Sequence, residues 1–367
     1  VFLGHVVVSI SSYPQTSKKL YIQSWPTGSI FVWEWEFART IFESLSLTVS
    51  LLVTVIVHTT MSTIITPLFN KIVEDIKGAE GPVFDLKGNF YMVAPEVEKD
   101  GKAAGQILKV DLSSKQVEIV CEPNIDGDGG IPAGCQVDKD GNLYVADMRL
   151  GILYVKPDGT YTQIARKDAG GRTMQGCNDC ALDYDGNLWF TAPAGEIAPS
   201  PYLRSFEEPF GSIYCRTADG TIIHLESNYR FSNGLAVRHS KDGRPEKLIV
   251  AETPARLLWC YDIEGPGKIT NKTQWGKLPD PGCTSGPDGM DFDEQGNLLV
   301  AHWGSSFIEV FGPDGGDPIR RIQCPFDKPS NLHFKPGSNL VLVTEHTNHG
   351  LWEFEWECKG MPQFCET

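Results

Sequence analysis

Four residues of this chain could seat one hard cation together: Glu80, Asn178, Asn233 and Asp288. Each stands five residues ahead of a reference point in a recurring stretch, at Asp85, Asp183, Arg238 and Asp293. Two further copies, with reference points Asp138 and Lys335, hold Ala133 and Ser330 in the same slot. Two carboxylates and two carboxamides make the mixed oxygen set that calcium accepts, water or substrate supplying the remaining ligands. Three residues further along, the copies hold Val83, Gln136, Ala181, Ala236, Asp291 and His333. A carboxylate and an imidazole in that slot fit a second ion, or equally a buried Asp–His pair. A lone Asn or Asp before a strand is usually a turn former. Four in register across separate copies favour a shared ligand.

The elements that must position these residues follow from the repeat. Asp85-Leu-Lys-Gly-Asn89, Asp183-Tyr-Asp-Gly-Asn187 and Asp293-Glu-Gln-Gly-Asn297 are tight turns, each followed by a β-rich run such as Phe90-Tyr-Met-Val-Ala94. The six reference points are spaced 53, 45, 55, 55 and 42 residues apart. A period near fifty built of strand, Gly-Asn turn and strand is that of a propeller blade. The spacing therefore predicts an all-β, six-bladed β-propeller of four-stranded antiparallel blades around a central channel. The segments entering the blades converge on its axis, where the donors would meet.

The repeat fills residues 61–367, expected to form one closed domain, and leaves residues 1–60 outside it. That extension carries three of the nine tryptophans and begins at Val1. Its apolar run Leu45–Val57 resembles a signal-peptide core but is shorter than the roughly 20 residues of a spanning helix. The expectation is an upstream or alternative segment, loosely packed or not native, with Met61 as the working start. A formal net charge of -15 argues against nucleic acid or an anionic membrane as partner and suits a soluble, cation-binding monomer.

Ten cysteines are few for a disulfide scaffold of this length, and most sit in or beside expected strands. They read as free thiols in a reducing, cytoplasmic compartment, secretion being expected only if residues 1–60 carry a genuine signal. Cys177-Asn-Asp-Cys180 has no second pair at zinc spacing and opens no helix, so it reads as structural. Asn271-Lys-Thr273 is a glycosylation sequon that matters only in a secreted chain.

Asn124–Gly134 superficially evokes a calcium loop, but Cys135 stands where that loop needs a bidentate Glu, so the glycines there read as a sharp return. The Pro-rich stretch Pro193–Phe206 reads either as a solvated loop or as a roof over a channel mouth, with Tyr202, Arg204 and Phe206 as wall and cation. Met148, Thr253, Trp303 and His346 stand at strand exits, where they could rim the same cavity. The chain has no Gly-x-Ser-x-Gly elbow, no His-Glu-x-x-His, and neither a phosphate-cradling nor a dinucleotide glycine motif. Metal-assisted chemistry is what remains.

From Pro67 to Thr367 the chain closely resembles the diisopropyl-fluorophosphatase branch of the gluconolactonase and regucalcin family of calcium-dependent propellers. The resemblance rests on Gly78-Ala-Glu-Gly-Pro-Val-Phe-Asp85, Gly130-Ile-Pro-Ala-Gly-Cys-Gln136, Met174-Gln-Gly-Cys-Asn-Asp-Cys-Ala181, Phe311-Gly-Pro-Asp-Gly-Gly316 and Lys328-Pro-Ser-Asn-Leu-His-Phe334. It implies two calcium ions per chain. The catalytic ion would be held by Glu80, Asn178, Asn233 and Asp288. The structural ion would be held by Asp291, His333 and the backbone carbonyl of Leu332. It also implies a substrate pocket lined by Ile131, Met148, Tyr202 and Arg204, and by Phe231, Thr253, Trp303 and His346.

The expected activity is calcium-dependent hydrolysis of P–F and related P–O or P–CN bonds of organophosphorus compounds, with Asp288 as nucleophile or base. The alternatives are lactone hydrolysis at the same site, or a non-enzymatic calcium-binding regulatory propeller. Pro287 and Phe307 depart from the family pattern, and the approach Pro279–Gly286 is one residue longer, which puts the shape of the mouth beside Asp288 in question. The chain also stops a few residues before the family's usual end; the expectation is a truncated sequence, the alternative being a last blade left incompletely closed.

Overall fold

The computed structural model describes residues 6–11, 19–24, 30–34, 62–174, 176–193 and 209–367. It divides into two compact units, Val1–Met61 and Ser62–Thr367. In the first, Val6–Ser11, Lys19–Ser24 and Ile30–Glu34 pair in order as an antiparallel meander. The apolar run at 45–57 lies outside the described residues.

The second unit is a six-bladed β-propeller. The first strands of the blades are Glu80–Phe84, Pro132–Val137, Cys180–Leu182, Ser232–His239, Gly286–Phe292 and Pro329–Phe334. Each packs on the first strand of the next blade, and the sixth packs back on the first, so the ring closes around an axial channel. Blades one to four contain four antiparallel strands each.

The turns explain the regular spacing. In the first copy, Asp85 Oδ1 accepts the backbone N–H groups of Lys87 and Asn89, and Gly88 takes φ 80° between them. A left-handed residue is needed there, and glycine adopts it without a steric cost. Asp138, Asp183 and Asp293 hold Asn142, Asn187 and Asn297 in the same way.

Between blades, apolar faces interlock into dry clusters. One joins Val83, Tyr91 and Val93 of blade one to Cys135, Val145 and Leu153 of blade two. Burying such side chains, at roughly 1.5–3 kcal/mol each, is what joins neighbouring sheets. None of the ten cysteines forms a disulfide, and seven are buried. Burial pushes the Cys121 thiol up to about 12, and that of Cys365 likewise to about 12, so these thiols stay protonated and unreactive.

Ahead of Glu80, Asn70–Val73 pairs antiparallel with Gly350–Glu355 and supplies the fourth strand of blade six. Thr63–Ile65 adds a fifth, parallel strand to blade five beside Arg320–Gln323. The last blade is thus completed from the amino-terminal side of the propeller. Short strands like these carry too little alternation to be read as blade edges without a partner in view.

Candidate metal centre

A backbone irregularity turns the donors inward. Pairing between the first and second strands shifts register between Glu80 and Val83, Pro132 and Cys135, Ser232 and Leu235, Pro287 and Met290, and Pro329 and Asn331. Such a bulge re-aims the side chain at the extra residue. It recurs at the slot holding Glu80, Ala133, Asn233, Asp288 and Ser330. In blade three, Asn178 lies just ahead of Cys180–Leu182.

Glu80, Asn178, Asn233 and Asp288 all line one cavity of about 330 Å³. Six of the expected pocket residues line it with them: Ile131, Met148, Phe231, Thr253, Trp303 and His346. Tyr202 and Arg204 lie outside the described residues. The wall also includes Thr284 and Ser285 of the lengthened approach, so that segment borders the mouth beside Asp288.

Several side chains are fixed by their neighbours. Asn233 Nδ2 donates to Thr253 Oγ1 at 3.1 Å, and Thr253 Oγ1 donates to the Pro287 carbonyl at 2.8 Å. With its NH2 group engaged, Asn233 keeps Oδ1 as an acceptor end. Glu80 Oε2 accepts the Gly81 N–H at 3.1 Å. Trp303 Nε1 donates to His346 Nδ1 at 3.2 Å. An indole N–H can only donate, so the imidazole proton sits on Nε2, which lies 3.5 Å from Glu80 Oε1. Burial pulls His346 down to about 4, so the ring is neutral at pH 7.

The electrostatics are those of anions lacking a counter-charge. Burial, and then the nearby Asp179 carboxylate, push Glu80 up to about 8. Burial, and then Glu80 and Asp179, hold Asp288 well above the usual carboxylate range. Burial drives Asp179 itself to about 7. Among the described residues, no lysine or arginine forms an ion pair with these three groups; the basic partner of Glu80 is the neutral His346. Buried carboxylates without a cation hold their protons. A divalent ion among them would let them ionise, and the donor chemistry suits calcium.

Asp179 was missed in the sequence although the signal was present. One place beyond the donor slot, the six copies hold Gly81, Gly134, Asp179, Gly234, Gly289 and Asn331. Asp179 and Asn331 project where the other copies have no side chain. They act on Glu80 in opposite senses: the Asp179 charge disfavours its ionised form, and an Asn331 hydrogen bond favours it.

A second, smaller cavity of about 50 Å³ lies along the same first strands, and Asp291, Leu332 and His333 all line it. His333 Nδ1 lies 3.4 Å from Asp291 Oδ2, so the Asp and the His do meet. Burial pushes Asp291 up to about 7 and pulls His333 down to about 4, leaving a neutral imidazole, the state in which it ligates a metal. His333 Nε2 is buried without a hydrogen-bond partner. Among the described residues no three His, Cys, Asp or Glu side chains are placed to hold a metal ion by themselves. Both centres mix such groups with carboxamides or a backbone carbonyl, as oxygen-seeking cations allow.

Fold and site together define a six-bladed propeller with oxygen donors at its hub. Residues 78–346 match the family model described as SMP-30/Gluconolactonase/LRE-like region, and the chain belongs to that family. It is 62% identical over 305 residues to the diisopropyl-fluorophosphatase of Loligo vulgaris, covering 83% of this chain and 97% of that one. It is 25% identical over 300 residues to a gluconolactonase of Zymomonas mobilis, covering 75% and 81%. A crystal structure titled as a calcium-binding protein, regucalcin, from Agrobacterium tumefaciens aligns with TM-score 0.65 at 19% identity over 84% of this chain and all of that one, which supports the fold.

Proposed function

We propose that this chain is a calcium-dependent hydrolase that cleaves P–F bonds, and related P–O and P–CN bonds, of organophosphorus compounds. The observation that carries the reading is the convergence of Glu80, Asn178, Asn233 and Asp288 on one cavity whose remaining wall is largely apolar. The 62% identity to the squid diisopropyl-fluorophosphatase gives the substrate class.

Two calcium ions are proposed: one held by Glu80, Asn178, Asn233 and Asp288, the other by Asp291, His333 and the Leu332 carbonyl. Calcium at the first site would supply the positive charge that polarises a phosphoryl oxygen. The protein's own groups do the rest. Ile131, Met148, Phe231 and Trp303 hold the organic substituents and exclude water. Thr253 fixes the Asn233 amide, and His346 is kept neutral beside Glu80. Tyr202 and Arg204 complete the proposed pocket.

Asp288 acts as nucleophile: a carboxylate oxygen forms a bond to phosphorus, the P–F bond breaks, and fluoride leaves with the electron pair. Water then bonds through its oxygen to the carboxyl carbon of the anhydride and gives up a proton, the bond from that carbon to the bridging oxygen breaks, and the phosphorus acid leaves with that oxygen as Asp288 is restored. In the variant mechanism Asp288 takes a proton from water, whose oxygen attacks phosphorus directly.

The second reading is lactone hydrolysis with the same donors polarising a carbonyl, favoured by the relation to the gluconolactonase. Fluoride release from a fluorophosphate, assayed beside opening of a sugar lactone, decides between them. Rapid lactone opening without fluoride release would overturn the phosphorus reading. Ten unpaired cysteines further support a reducing, cytoplasmic location for a monomeric propeller.

A further inference from the structure

After the last strand of blade six, the chain does not leave the propeller. Trp356 packs into the apolar cluster between blades five and six, Phe364 against the cluster between two and three, and Cys365 into that between one and two. Backbone bonds fasten the segment along the way: the Glu294 N–H donates to the Lys359 carbonyl at 2.8 Å, and the Met361 N–H to the Phe292 carbonyl at 2.9 Å. Tyr184 Oη donates to the Pro362 carbonyl at 2.5 Å. Trp356–Thr367 is therefore a strap laid across one end of the ring.

Where it crosses the axis, the strap walls the 50 Å³ cavity with Gln363. Gln363 Nε2 lies 3.2 Å from both Asp291 oxygens. Glu366 accepts the Gln363 N–H at 2.8 Å and so sets the start of the strap's final turn. Rotating the Gln363 amide by 180° exchanges its NH2 for its oxygen without moving the strap. The cavity then presents a carboxylate, a carboxamide oxygen, a backbone carbonyl and a buried imidazole whose Nε2 has no partner.

We propose that the strap is the lock of the second calcium site. Gln363 turns Oε1 to the ion as a further ligand beside Asp291, His333 and the Leu332 carbonyl, and the strap must lift before that ion exchanges. The inference rests on the two-calcium reading. It explains why a small polar cavity is walled on one side by a segment anchored to several blades, whereas the larger cavity takes substrate.

The test follows radioactive calcium leaving the loaded full-length protein under excess chelator, in the wild type, Gln363→Ala and Gln363→Leu. The expected wild-type record has two phases, fast from the substrate cavity and slow from beneath the strap. Both variants should accelerate the slow phase by about tenfold or more, the scale on which metal sites respond to loss of a supporting group, and leave the fast phase unchanged. Melting of the chelated proteins, measured in parallel, shows whether either variant has simply unfolded; the shape-conserving Gln363→Leu preserves the test if Gln363→Ala does. A slow phase unchanged in a folded variant overturns the lock alone. A wild type that retains one ion or none overturns the two-calcium reading and the lock with it.

Discussion

Oδ1 of Asp179 occupies the space that a side chain at Gly134 would need: a Cβ built on Gly134 would lie 2.4 Å from it. The same holds for Gly289, whose Cβ would meet Asn331 Oδ1 at 1.9 Å. Blades two and five therefore carry glycine so that blades three and six can send a polar side chain to the axis. Gly134→Ala should displace Asp179, which adjusts Glu80 and Asp288. The expected cost is about 1–3 kcal/mol of stability, typical of overpacking, with a larger proportional loss of turnover. Denaturant unfolding and steady-state rates check both; full activity in this variant would show that the placement of Asp179 is irrelevant.

Asp288→Asn keeps an oxygen donor but removes both the nucleophile and the base. Turnover should fall by about 10³-fold or more, while the fold survives and calcium binding weakens only in part. Under single-turnover conditions in water labelled with heavy oxygen, label should first appear in the Asp288 carboxylate of the wild type. Label found solely in the phosphorus product would select direct attack by water.

Calcium should stabilise the propeller, because an ion held only by the folded state adds about 2.7 kcal/mol at a hundredfold excess over Kd. Chelation should lower Tm by several degrees, as followed by scanning calorimetry. An unchanged curve in excess chelator would contradict ions bound to the folded state.

The pH dependence of the ion-free protein follows from the raised carboxyls. Glu80 near 8, and Asp179 and Asp291 near 7, keep their protons when folded at pH values where the unfolded chain has lost them. The folded state then binds more protons than the unfolded state, so stability is greatest below the unfolded values near 4 and declines as pH rises toward 7–8. Calcium competes with those protons, so its affinity should rise over the same interval. Chelated protein should melt higher at pH 6 than at pH 8, and calcium should narrow the difference. A chelated protein more stable at pH 8 would contradict the buried, uncompensated anions.

The fold was legible in the sequence because the Asp-x-x-Gly-Asn turn is chemically demanding and recurs in four of the six blades, at Asp85, Asp138, Asp183 and Asp293. The donors were legible for the same reason: a fixed distance from each reference point places Glu80, Asn233 and Asp288 at equivalent bulges and Asn178 just ahead of its strand. Asp179 was overlooked because its meaning lies in the glycines of other blades, which say nothing until the axis is seen to be crowded. The edge strands Thr63–Ile65 and Asn70–Val73 were missed because their partners are more than two hundred residues away in sequence. The strap was equally hidden, since Gln363 meets Asp291 through a crossing that no local pattern records.

Fluoride release from diisopropyl fluorophosphate, followed in the same protein before chelation, after chelation and after calcium is restored, tests the central claim most directly. Release should disappear with the ion and return with it. Undiminished release from protein shown to be free of calcium would contradict a hub in which Glu80, Asn178, Asn233 and Asp288 work through a shared cation.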